Sequence, residues 1–149
     1  MTLDGVRAKY LPRIAGAEDA TPFVICCGGA PIGYIQAYAV RPGAWGLGGV
    51  EGGVGLDLFI GEPPLVHRGL GPEVLRQFIG EIVFHDPVVR ACFIDPVPRN
   101  HVAIRAFEKA GFRYLGDAVD PETGKPARIM RLTREEFASA RSREAAPGR

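Results

Sequence analysis

Serine is almost missing from this chain, standing only at Ser139 and Ser142 in a charged stretch near the C-terminus. A serine hydrolase needs that residue on a sharp turn inside the fold, so Ser-His-Asp chemistry is excluded. Cysteine is scarce too: Cys26, Cys27 and Cys92 make an odd set with no C-x-x-C spacing. All three lie in apolar runs, where a free thiol packs as a small hydrophobe, so they read as structural rather than nucleophilic or disulfide-bonded. His67, His85 and His101 match no zinc spacing, and no metal is expected. An excess of one charge is also lacking. Lys+Arg 18 against Asp+Glu 17 leaves +1, which argues against a general nucleic-acid binder. No apolar run approaches the roughly 20 residues of a membrane span. The opening Met1-Thr2-Leu3-Asp4-Gly5 has neither the basic nor the apolar part of a signal peptide. These absences predict a soluble, cytoplasmic protein without a nucleic-acid or membrane partner.

What is present suits one folded domain. Across 149 residues, 46% are hydrophobic and 23% charged, which excludes general disorder. Val6, Tyr10, Leu11 and Ile14 predict a short helix over 6–14, with Pro12 disturbing its last turn. Strands are expected at 21–27 and 32–40, joined by the turn Gly28-Gly29-Ala30-Pro31, and again at 54–60. The 41–53 segment is glycine-rich, carries the single Trp45 and shows no core pattern, which favours a functional or mobile loop. Leu70, Val74, Leu75, Phe78, Ile79, Ile82 and Val83 mark a core-facing helix over 70–84, stopped by Asp86-Pro87. A strand follows at 89–95, then a helix at 100–110 with Val102, Ile104, Phe107 and Ala110 apolar and Gly111 as a left-handed cap. Strands at 112–119 and 128–132 form a last hairpin, followed by a polar helix at 134–141 and a solvated tail from Glu144. With no repeat, the chain reads as a single domain, 1–141 folded and 142–149 a flexible tail. The pattern predicts an α/β fold in which helices cover a mixed sheet.

One segment has the makings of an anion site. Val66-His67-Arg68-Gly69-Leu70-Gly71-Pro72 joins a strand to a helix. Its glycines permit close backbone approach, the helix N-terminus offers free amides, Arg68 adds a charge, and Pro72 suits the first turn. Alone, such a G-x-G equally reads as a turn that caps a helix. It is neither a Walker loop nor a Rossmann fingerprint.

The order of motifs carries more information. Arg68-Gly69-Leu70-Gly71 precedes an amphipathic helix and a strand; then come Asp95-Pro96 with Asn100, Ala103-Ile104-Arg105, and Phe107-Glu108-Lys109-Ala110-Gly111-Phe112. In this order and spacing the chain resembles the GNAT acetyltransferase superfamily. Tyr10-Leu11-Pro12, Thr21-Pro22-Phe23, Pro31-Ile32-Gly33-Tyr34 and Gly55-Leu56-Asp57 make it most similar to the aminoglycoside 6′-N-acetyltransferases. The resemblance spans about Lys9 to Leu132 and implies a central sheet splayed at an acetyl-coenzyme A site. It implies that the backbone of Leu58, Phe59 and Ile60 holds the pantetheine arm and that His67, Arg68, Gly69, Leu70, Gly71 and Pro72 hold the pyrophosphate. Asn100, Ala103 and Phe107 would lie along the cofactor. An amine would attack the thioester directly, which needs no nucleophilic serine, and Asp57 would act as general base. Trp45, Glu51, Asp57 and Asp95 would meet the acceptor. Read without the family, Asp57 could simply face solvent, Asp95 form a turn and Trp45 anchor its loop.

The chain departs from the family in three places. Phe107 stands where a tyrosine often donates a proton to the departing thiolate. The loop before Asp57 holds only Glu51 where aminoglycoside enzymes carry an acidic run, which weakens the case for a polycationic acceptor. The strand and helix that normally open the fold find no residues here, so strand 21–27 is expected at a sheet edge, open to pairing in a homodimer if the protein is not a monomer. The expected activity is acetyl transfer to a small-molecule primary amine, most similar to an aminoglycoside 6′-amine. The alternatives are a coenzyme A-binding module with little catalysis and an acyltransferase acting on a protein or siderophore amine.

Overall fold

The computed structural model describes residues 20–27, 29–60, 70–120 and 123–145. The helix expected at 6–14 lies outside them, as do His67, Arg68 and Gly69. Within them β1 (Ala20–Cys27), β2 (Ala30–Ala39) and β3 (Val54–Ile60) come first. Helix α1 (Leu70–Phe78) follows, then β4 (Ala91–Ile94), α2 (His101–Ala110), β5 (Arg113–Val119), β6 (Pro126–Thr133) and α3 (Arg134–Ala145). This is the expected mixed α/β arrangement. The sheet order is β1-β2-β3-β4-β6-β5, and only the β3–β4 pair is parallel. A parallel pair needs a crossover, here the segment that carries α1. Among the described strands β1 is outermost, as expected.

Period-two alternation divides the sheet into two faces. Ile35, Leu56, Cys92, Ile94, Met130 and Leu132 point toward α1, α2 and α3, where they join Val74, Leu75, Phe78, Ile104 and Phe137 in the main core. Phe23 meets Phe78 edge to face at 5.0 Å. The irregular register between β1 and β2 inserts one extra residue, so Ile32 also reaches this core. The opposite face carries a smaller cluster of Val40, Val50, Phe93, Ala127 and Ile129.

Local chemistry sets the element ends. Asn100 Oδ1 accepts from the Ala103 amide at 3.1 Å and starts α2; Gly111, at φ 109, ends it. Thr133 and Glu136 form a reciprocal capping box at the start of α3, the Thr133 amide donating to Glu136 Oε1 at 2.9 Å and the Glu136 amide to Thr133 Oγ1 at 3.1 Å. Arg134 then donates to the carbonyls of Val89, Phe84 and Asp86, which ties α3 to the chain entering β4.

Several expectations need correction. The helix predicted over 70–84 passes at Ile79 into a π-helical segment, Ile79–Val83. The last helix runs on to Ala145, so residues 142–145 are helical rather than part of a tail. Of the apolar residues in the 100–110 helix, Ile104, Phe107 and Ala110 are buried while Val102 is 53% exposed. The 41–53 loop does have a core pattern, because it buries Val50 and rests Trp45 and Leu47 on the second cluster. It also contains the short 3₁₀ turn Ala44–Gly46.

Candidate active site

The parallel pair opens almost as soon as it forms. β3 pairs with β4 only at Val54↔Cys92 and Gly55↔Phe93, whereas its ladder with β2 continues to Gly33↔Ile60. From Leu56 onward the β4 side of β3 has no strand partner among the described residues. Pro96 explains part of this: it cannot donate to a ladder, and its carbonyl accepts instead from the Arg128 amide of β6 at 2.8 Å, drawing the chain away from β3. Leu58, Phe59 and Ile60 therefore make no ladder bonds to β4, and Leu70, Gly71 and Pro72 lie at the start of the crossover helix. A strand edge left unpaired in this way could take an extended amide-bearing arm such as pantetheine.

On the face opposite the helices, β2 and β3 place Gln36 directly across from Asp57 and Tyr38 across from Gly55. A Cβ at Gly55 would collide with the Tyr38 ring, so glycine is what lets that ring lie flat over β3. Tyr34, on the same face, donates its hydroxyl proton to Gln36 Oε1. Beside this floor is a cavity of about 630 Å³ whose wall includes Tyr38, Arg41, Trp45, Asp95, Asp120 and Lys125. The Trp45 ring stands 5.7 Å from Phe93.

Asp95 feels two neighbouring carboxylates here. Asp95 is pushed up to about 6, first by desolvation and next by Asp57, with Asp120 adding to the rise. Its own backbone amide and the Trp45 indole N–H oppose that rise by hydrogen bonding to it. Asp57 is open to solvent on one side, yet nearby protein displaces enough water to raise its carboxyl. Tyr38 is raised by burial, then by Asp95 and Asp57, and therefore stays a hydroxyl donor at neutral pH. Burial also pushes the Cys92 thiol up, consistent with a core residue rather than a nucleophile.

Of the residues predicted to meet an acceptor, Trp45 and Asp95 share the cavity, and Asp57 is coupled to Asp95. Glu51 does not join them: it is exposed on a turn and absent from the cavity wall. Asn100 uses its oxygen to cap α2, Ala103 packs against the core, and Phe107 is buried with its ring 6.3 Å from Phe112. Tyr38 and Asp120 were not anticipated. The glycine at position 55, in a strand otherwise rich in side chains, was the available signal for Tyr38. Asp120 precedes Pro121 at a hairpin turn, where an aspartate is common for turn chemistry alone. Among the described residues, no group of His, Cys, Asp and Glu could hold a metal, and no helix is long and apolar enough to cross a membrane.

Comparison with known proteins places this geometry. The Acetyltransferase (GNAT) domain model matches residues 1–119. The chain is 38% identical over 144 residues to the aminoglycoside N(6′)-acetyltransferase type 1 of Klebsiella pneumoniae, covering 95% of this chain and 70% of that protein. The crystal structure of aminoglycoside acetyltransferase AAC(6′)-Ib with coenzyme A and kanamycin is similar with a TM-score of 0.73 at 35% identity, covering 89% of this chain and 77% of that one. A lysine N-acyltransferase of Mycolicibacterium paratuberculosis is 39% identical over 64 residues, 43% of this chain and 29% of that protein. The match over most of the chain, together with the splayed β3–β4 pair, identifies this protein as a member of the GNAT acetyltransferase family.

Proposed function

We propose that the protein transfers an acetyl group from acetyl-coenzyme A to a primary amine of an aminoglycoside, at the 6′ position. The observation that carries this reading is an aromatic-walled cavity lined by Asp95 and Asp120, with Asp57 close enough to act on Asp95. Counting acids in the 41–53 loop had spoken against a polycationic acceptor. The fold offsets that shortage with carboxylates from β3, the end of β4 and the end of β5. Asp95 and Asp120 would bind acceptor ammonium groups, while Trp45 and Tyr38 offer faces to a sugar ring or a cation.

Asp57 is the base. An ammonium has no lone pair, so the reacting amine first passes a proton to Asp57, directly or through water; a raised carboxyl accepts that proton more readily. The amine nitrogen then bonds to the thioester carbon, the C–S bond breaks, the nitrogen gives up its second proton to water to become the amide, and the thiolate takes a proton from water, because Phe107 has no hydroxyl to give. The backbone of Leu58, Phe59 and Ile60 would hold the pantetheine arm, and His67 through Pro72 the pyrophosphate, with Asn100, Ala103 and Phe107 alongside. A cytoplasmic location, where thioester donor and incoming drug would meet, suits this chemistry.

A second reading draws on the lysine N-acyltransferase similarity and on Arg41 and Lys125 in the cavity wall, which would suit a less cationic amine. Free-thiol release against a panel of kanamycin-like, hydroxylysine-like and peptide amines decides between them. Aminoglycoside-dependent release is expected, and Asp57→Asn should lower it by about 10²–10⁴-fold. Release with lysine-type amines alone would favour the second reading. Full turnover by Asp57→Asn would remove the base assignment.

A further inference from the structure

We propose that Tyr38 is a further catalytic residue for acetyl transfer: its hydroxyl donates a hydrogen bond to the thioester oxygen as the amine adds to the acyl carbon. The proposal rests on the acetyl-transfer reading and supplies a partner for the charge which that reaction creates. As the nitrogen–carbon bond forms, the carbonyl π electrons move onto the oxygen, and they return when the C–S bond breaks. Charge that appears only in passing is best met by a donor already in place, where little water competes.

The fork between β3 and β4 places such a donor. Gly55 is the last residue of β3 that pairs with β4, opposite Phe93, and Tyr38 of β2 stands across from Gly55 on the opposite edge. A Cβ at Gly55 would lie 2.3 Å from Tyr38 Cζ and 2.6 Å from its hydroxyl oxygen. The phenol therefore reaches across β3 and ends where the two strands part. An arm lying along the unpaired edge, from Ile60 back toward Leu56, brings its acyl end to that same point. Asp57 follows two residues along β3 on the same face, and the cavity with Tyr38 and Asp95 in its wall opens beside it. Base, acceptor cavity and hydroxyl converge on one position for the reacting carbon.

The state of the phenol suits the role. Tyr34 donates its proton to Gln36 and Tyr114 to Asp117, whereas no described residue is hydrogen-bonded to the Tyr38 hydroxyl. Burial, with Asp95 and Asp57 nearby, keeps it protonated. It gives a hydrogen bond and retains its proton, so water remains the proton source for the thiolate. Phenylalanine at position 38 keeps the ring and removes only the donor.

The first test needs no acceptor. With carbonyl-labelled acetyl-coenzyme A bound, the infrared thioester band should lie at lower frequency in the wild-type protein than in Tyr38→Phe, and Asp57→Asn should keep the wild-type band. Tyr38→Phe should weaken acetyl-coenzyme A binding roughly fivefold and leave coenzyme A binding unchanged. With an accepted amine, kcat should fall about 10²-fold while the acceptor KM changes by less than about twofold. Gly55→Ala should raise the band in the same way although the hydroxyl is still there, because its methyl pushes the ring off the fork. A band indifferent to Tyr38→Phe, or a kcat loss below about threefold, would overturn the proposal and leave the oxygen to the β3 backbone. Should aminoglycosides prove not to be acceptors, the infrared band and the binding comparison still test the hydroxyl, so the two failures are distinguishable.

Discussion

The two faces of the sheet are built to opposite rules. On the helix side, Phe78, Leu75, Ile35, Leu56, Met130 and Leu132 are almost completely buried, and among the described residues no polar residue is buried with them. On the other side, a thin layer formed by Val40, Val50, Phe93, Ala127 and Ile129 supports Asp95, whose ionisation Asp57 and Asp120 oppose, and a left-handed tryptophan. One face gains stability from burial; the other spends part of that gain on preorganised charge. The same strands serve both, since Leu56 and Asp57 are adjacent in β3 and point in opposite directions.

Two substitutions should separate these roles most sharply. Asp57→Asn should remove most turnover and leave the unfolding midpoint nearly unchanged. Phe78→Ala should do the reverse, costing about 3–5 kcal/mol of stability while the folded fraction keeps its kcat. Denaturant unfolding combined with thiol-release kinetics on both variants checks the contrast. If Phe78→Ala lowered kcat per folded molecule as far as Asp57→Asn does, the faces would not be separable.

Asp95 gives a smaller test of the same contrast. Its carboxyl is raised from 3.8 to about 6, so between those values the folded state holds more protons than the unfolded one. Its stabilising contribution is therefore complete below the lower value and is lost as pH rises through the upper one. Asp95→Asn should remove that slope. At pH 7.5 the variant should melt higher than wild type, by about 2–4 °C if solvent screening leaves about 1 kcal/mol, and the gap should close by pH 4. Acceptor binding should weaken in the same variant, so a stability gain would accompany a functional loss. Thermal melts across pH 4–8 read this directly, and an unchanged gap at pH 4 would contradict the assignment.

The helix-covered face was largely legible from sequence because it is periodic. The stripe from Val74 to Val83 and the β-branched runs place its residues, and Gly111 marks a helix end. What periodicity could not show was the π-helical slip at Ile79, which depends on how backbone hydrogen bonds shift by one residue. The extension of α3 to Ala145 was missed because the polar composition there lacks an apolar stripe, while the Thr133–Glu136 capping box that starts the helix is a local signal. On the other face Asp57 and Asp95 stood out through motif order and Trp45 as the single tryptophan of a glycine-rich loop. Tyr38 and Asp120 become neighbours of Asp95 only through β2–β3 register and the return of the β5–β6 hairpin. Glu51 lies apart for the matching reason: closeness in sequence to Asp57 does not bring it to the cavity wall. The 41–53 loop looked coreless because its contacts come from Val50, Leu47 and Trp45 at irregular intervals set by left-handed glycines.

The smallest expected effect concerns Lys125, which shares the cavity wall with Asp95 and Asp120. Its ammonium is exposed and flexible, so it interacts with a bound polycation through solvent. Two unit charges about 8 Å apart in water interact by roughly 0.5 kcal/mol, before salt reduces it further. Lys125→Ala should therefore lower KM for a kanamycin-like amine by about twofold, leave kcat unchanged and scarcely affect a monoamine. The gain should fade as ionic strength rises from 20 to 500 mM, because a contact of this kind is screened, whereas a change in cavity shape would persist at any salt concentration. A KM decrease of equal size for the monoamine, or one indifferent to salt, would mean that Lys125 acts by occupying space. In that case the acidic character of this face would come from its carboxylates alone, without the cationic rim limiting which amines it accepts.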